Sequence, residues 1–116
     1  MAIEITGRHV SVTDSMRDYA LRKAERAVAD YPAIEKVHVI LDMQKYRHIA
    51  EIIVQGRNHL RVEAREEAEG MYAAIDVVTD KIARQLHRLR EKITQRRGRA
   101  NATEFEHALE EETAHE

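Results

Sequence analysis

Ile3 and Ile5 alternate with polar neighbours, which predicts a short first strand ending at Gly7. The period then changes. Met16, Ala20, Ala24, Ala27 and Tyr31 recur at helical spacing behind Thr13, a side chain suited to capping a helix N-terminus. Pro32 stops that helix, because the residue before a proline is pushed out of the α region. Three strand-like runs follow, in which Val37, Val39, Leu41 and Met43, then Ala50, Ile52 and Val54, then Leu60, Val62 and Ala64 share a face. Gly56-Arg57-Asn58 supplies hairpin chemistry between the last two. Polar residues fill the alternate positions except at Ile40, Ile49 and Ile53. The pattern fits an antiparallel sheet with one face packed and the other more exposed.

The longest periodic stretch comes last. Met71, Ile75, Val78, Ile82, Leu86, Leu89 and Ile93 step by three or four residues and trace one apolar stripe over about six helical turns. Burying these side chains is worth roughly 10–20 kcal/mol gross, before chain entropy is subtracted. Gly98 is placed to end the helix. The predicted order is β-α-β-β-β-α, an α+β fold with two helices packed on one face of a four-stranded sheet. Residues 1–97 form the expected domain, and residues 98–116 an acidic, disordered tail.

The 116 residues are enough for one modest core. Without cysteine the chain has neither a disulfide framework nor a thiolate metal site. No apolar run approaches the roughly 18 residues of a membrane span, and the first residues lack the pattern of a signal peptide. A cytoplasmic protein is expected.

The net charge of −2 hides a division along the chain. Residues 98–116 carry Arg99 and six acids, a net of −5, which leaves +3 for residues 1–97. Between Lys81 and Arg97 seven bases face the single acid Glu91. Take Ile82 as the centre of the buried stripe. Around the helix Arg84 then falls at about 200°, Arg88 at about 240°, Lys81 at about 260° and Lys92 at about 280°. They form a ladder about 16 Å long, a length that matches several successive phosphates. Arg22, Lys23 and Arg26 on the first helix offer a second set, which would form the opposite wall of a basic groove if the helices lie side by side. A row of bases on a helix is commonly a solvated face. Solvated helices, however, interleave acids at i,i+4, and this stretch leaves its bases largely unopposed. Nucleic acid is the partner that pattern favours.

RNA fits better than specific DNA. No recognition-helix or zinc-finger motif is present, and aromatic residues make up 4% of the chain, so backbone and shape would be read rather than sequence. Tyr72 adjoins Met71 and reads as a packed rim residue. Nothing points to catalysis or to a cofactor: no His pair stands at the i,i+4 spacing of a helical zinc site, and no phosphate-cradling loop or nucleophile motif occurs. His38 and His48 could face each other across a hairpin, as surface chemistry. The tail beyond Asn101 is a solubilising end, or a screen over the basic residues, with Thr103 and Glu106 able to cap a short helix carrying Phe105 and Leu109.

Three blocks resemble a known family: Ile5-Thr6-Gly7-Arg8-His9-Val10 with Val12-Thr13-Asp14, Met71-Tyr72-Ala73-Ala74-Ile75-Asp76, and Asp80-Lys81-Ile82-Ala83-Arg84-Gln85-Leu86. They are similar to the ribosome hibernation factors, the family of hibernation promoting factor and ribosome-associated inhibitor A. The resemblance covers residues 1 to about 95. It implies the same β-α-β-β-β-α fold and binding to the 16S rRNA of the small ribosomal subunit, in the channel used by messenger RNA and tRNA. It also implies inhibition of translation in stationary phase or stress, with ribosome pairing promoted or opposed. Family contacts to ribosomal RNA carry over by position to Lys23, Arg26, Lys81, Arg84 and Arg88, and more loosely to Arg22 and Lys92. No membrane, small-molecule substrate or cofactor is implied, and the protein is expected to be monomeric off the ribosome. Family members carry Asp just before the Met-Tyr pair, where this chain has Gly70. The acidic end resembles inhibitor-type members and the body the promoting type. Two rival readings remain: a regulator of structured RNA outside the ribosome, and a module whose basic face binds an acidic protein.

Overall fold

The computed structural model describes residues 1–97, with side chains as far as Glu91. The Ile93 side chain, Gly98 as a helix stop and the tail lie outside what is described. The elements run β1 (Ala2–Arg8), α1 (Asp14–Val28), β2 (Ile34–Gln44), β3 (Arg47–Gly56), β4 (Arg61–Ala68) and α2 (Met71–Arg97), the expected order.

Each boundary has a local cause. Thr13 caps α1, its Oγ1 accepting from the backbone N–H of Met16 at 3.1 Å. The helix ends at Val28, three residues earlier than the spacing of Tyr31 predicted. Tyr31 instead donates its N–H to the Val28 carbonyl in the turn that precedes Pro32. The strands lie in the order β1-β2-β3-β4. β2, β3 and β4 pair antiparallel, as the alternation predicted, but β1 runs parallel to β2. The reason is α1. A helix that carries the chain back along the sheet returns the next strand in the direction of the first.

Both helices lie on one face, α1 against β1 and β2, α2 against β3 and β4. Val37, Val39, Leu41, Ile52, Val54, Val62, Ile75, Val78 and Ile82 are fully buried between the layers. Ile40 and Ile49 point to the other, helix-free face, yet are 6% and 2% exposed. Their cross-strand neighbours there are Thr6, Asp42, Glu51 and Glu67, so polar side chains cover an apolar floor.

Of the two hairpin turns, one falls in the segment the sequence marks and the other carries no residue that announces it. Between β3 and β4 it is Asn58 (φ 58°) and His59 (φ 64°), not Gly56, that take the left-handed conformation. Gly56 serves close approach, since a Cβ there would sit 2.6 Å from the Ala33 carbonyl oxygen. Between β2 and β3, Gln44 pairs with Arg47 across a two-residue turn formed by Lys45 (φ 46°) and Tyr46 (φ 70°). That is the twist a tight hairpin needs, usually supplied by Asn-Gly. For residues with a Cβ the left-handed region costs about 1–2 kcal/mol each.

Candidate nucleic-acid interface

The candidate bases stand on α1 and α2, and the packing between those helices decides how they are presented. α1 meets the flank of α2 that carries Tyr72 and Asp76. Tyr19 packs edge-on against Tyr72, with ring centroids 5.0 Å apart and planes at 78°. Its hydroxyl donates to the Asp76 carboxylate, which also accepts Lys23 Nζ at 3.3 Å. The hydrogen bond to Asp76, with some desolvation, raises the Tyr19 hydroxyl above its ordinary pKa, so it stays a donor at physiological pH. Further along, the Arg90 guanidinium lies 5.2 Å from the Tyr31 ring centroid and ties α2 to the end of the α1–β2 connection. Tyr72 is therefore a packing residue, as expected, although half of its surface remains open.

The ladder occupies other directions. On the helical wheel Tyr72, Asp76 and Arg90 lie about 80–120° to one side of Ile82, whereas Lys81 and Arg88 lie about 100–120° to the other and Arg84 stands near the crest. Lys81, Arg84 and Arg88 are exposed or half-exposed and line a shallow depression together with Ala83 and His87. On α1, Arg22 and Arg26 are exposed on the crest. The helices do lie side by side, but their bases are not the facing walls of a groove. They stand in two rows on the outward surface, about 10 Å apart if the helices have ordinary interaxial spacing. The groove expectation is corrected for a plain reason: the facing flanks are filled by Tyr19, Tyr72, Lys23 and Asp76.

The bases of these rows stand without a paired acid. Among the described residues Arg22, Arg26, Lys81, Arg84 and Arg88 have no carboxylate within ion-pair distance. Asp80 stands four residues before Arg84, and among the same residues it too forms no pair. Lys23 is the exception within the candidate set. Its ammonium is spent on Asp76, and 25% of its side chain is exposed. Lys92 lies on α2, one residue beyond the described side chains.

The helix-free face is arranged differently. Lys36 pairs with Glu4 at 3.7 Å, Arg61 with Glu63 at 3.1 Å, Arg65 with Glu67 at 3.7 Å and Arg47 with Glu67 at 3.6 Å. The β2–β3 register sets His38 opposite Ile53 and His48 opposite Met43, so the two histidines do not face each other. His38 Nε2 is instead 2.9 Å from Thr6 Oγ1. At the end of β2, Asp42 is 4% exposed. Burial raises its carboxyl pKa, but hydrogen bonds from His9 (3.0 Å), the Met43 N–H (2.8 Å) and Gln44 (3.2 Å) outweigh it and hold the group below the usual carboxylate value.

Sequence reasoning missed the Tyr19–Asp76–Lys23 cluster. Its signal was available: Asp76 falls beside the buried stripe on the α2 wheel, where an acid requires a partner.

The sequence profile of the Sigma 54 modulation protein / S30EA ribosomal protein family matches residues 3–94. A ribosome hibernation promoting factor from Pseudomonas putida is 40% identical over 92 residues, covering 79% of this chain and 89% of that one. Its counterpart in Escherichia coli is 33% identical over 95 residues, covering 82% and 99%. Among solved structures, the N-terminal domain of Thermus thermophilus Protein Y superposes with a TM-score of 0.67 at 33% identity, over 76% of this chain and 98% of that one. A ribosomal subunit interface protein from Coxiella burnetii has a TM-score of 0.73 at 24% identity, over 78% and 99%, which speaks to the fold alone.

Proposed function

The chain belongs to the Sigma 54 modulation protein / S30EA ribosomal protein family, and on that premise we propose that it is a ribosome hibernation factor. It binds the 16S rRNA of the small ribosomal subunit in the messenger RNA and tRNA channel and inhibits translation while bound. It acts in the cytoplasm as a monomer until it meets the subunit, by occupancy rather than by catalysis. Arg22, Arg26, Lys81, Arg84, Arg88 and Lys92 meet phosphates. Lys23, held by Asp76, contributes chiefly by setting the position of α1 against α2.

The observation that carries this reading is the unopposed set of bases gathered on the outward faces of α1 and α2, whereas the helix-free face pairs Lys36, Arg47, Arg61 and Arg65 with acids. Unpaired cations repel one another, so keeping them together is useful where a polyanion supplies the missing charge. Relatives named as ribosome hibernation promoting factors support the choice of polyanion.

The test is co-sedimentation with small ribosomal subunits across a salt series, beside Arg84→Glu/Arg88→Glu. Wild-type binding should fall steeply with salt. The double variant should melt like the wild type, because neither side chain faces the core, and its logarithmic salt slope should be shallower by about 2. Binding that is displaced by messenger RNA with initiator tRNA places the protein in the channel. Binding to structured RNA but not to the subunit would overturn the ribosomal reading.

A further inference from the structure

The β2–β3 turn is the least economical part of the fold. Both of its residues are left-handed, neither is Gly or Asn, and the side chain at its apex is an aromatic ring that packs on nothing: Tyr46 is 92% exposed. The hairpin twist requires the backbone conformation, but not a tyrosine. Strain retained at an exposed position points to use outside the chain. The surroundings indicate what kind of use. Asp42, the nearest buried acid, is already engaged by His9, the Met43 N–H and Gln44. Arg8, its neighbour across the β1–β2 register, and Lys45 beside Tyr46 have no acid partner among the described residues. An exposed ring with one unpaired cation beside it and another at the same end of the sheet is suited to stacking on an unpaired base while its phosphates are neutralised.

We infer that Tyr46 stacks on an unpaired nucleobase of the bound RNA, with Lys45 and Arg8 on the adjoining phosphates. The inference rests on the function proposed above and adds a second contact region to it. That region is remote from the ladder. β4 ends opposite His48, near this turn, and α2 starts just beyond it. Arg84 lies thirteen residues, or about 20 Å, further along α2.

Dissociation constants for small ribosomal subunits test it, measured with the full chain. Tyr46→Phe should bind within about twofold of wild type, whereas Tyr46→Ala should bind about 5- to 100-fold more weakly with an unchanged salt slope. The pair Lys45→Asn/Tyr46→Gly, which supplies the turn's preferred residues, should melt at a higher temperature and yet bind more weakly, so a loss of affinity cannot be ascribed to unfolding. Wild-type-like affinity of Tyr46→Ala overturns the stacking contact and leaves the ladder reading intact. Full retention by Tyr46→Leu overturns it in favour of an apolar pocket on a ribosomal protein. Absence of wild-type binding overturns both.

Discussion

Asp42 shows how one residue can hold two parts of the chain. It is buried on the helix-free face and gathers His9 from the β1–α1 connection, the Met43 N–H and the Gln44 amide around one carboxylate. Those hydrogen bonds favour the ionised form by more than burial disfavours it, so the folded pKa lies below the unfolded value of about 3.9. The resulting stabilisation is complete above about pH 4 and is lost as pH falls through the folded pKa. Asp42→Asn should therefore be less stable than wild type at neutral pH, and the gap should narrow as pH is lowered from 5 toward 2. Melting temperatures of the two proteins across that range check it. A gap that stays constant would mean that Asp42 acts by shape and not by charge.

At the scale of elements, the sequence was most legible where one strong periodicity met one surface. The stripe from Met71 to Leu89 placed α2, and Thr13 placed the start of α1. Legibility failed where a position answers to tertiary contacts. Gly56-Arg57-Asn58 marked the turn and Asn58 does take the left-handed conformation, but it shares it with His59, and Gly56 instead supplies room beside the Ala33 carbonyl. Spacing and charge picked out the candidate bases. Their arrangement in two outward rows was not legible, because it depends on which flank of α2 accepts α1, and that is settled by Tyr19, Tyr72 and Asp76. The start of α2 remains improvable. Gly70 offers no capping side chain, the first turn carries no acid, and a Cβ at Gly70 would meet no atom within 4 Å. Gly70→Asp should raise stability by about 0.5–1 kcal/mol through capping and the helix dipole, read as a shift in the denaturation midpoint.

At the scale of the whole molecule, the described residues are electrostatically two-sided. Ion pairs on the helix-free face, each worth about 0–1 kcal/mol, do little for stability but cancel charge there, while the outward rows on α1 and α2 stay uncancelled. Such a molecule carries a dipole across its thickness. In a negative field it turns before it touches, presenting the helices first, so orientation is partly solved during diffusion. The consequence is kinetic. Association with small subunits, followed by stopped flow, should slow steeply as salt rises, with a weaker effect on dissociation, and Arg84→Glu/Arg88→Glu should flatten that dependence. Under the function proposed above, that field draws the protein in whether or not messenger RNA is in place, since messenger RNA is itself a polyanion. The uncancelled rows would then set how fast the protein arrives, and room at the site would decide whether it stays.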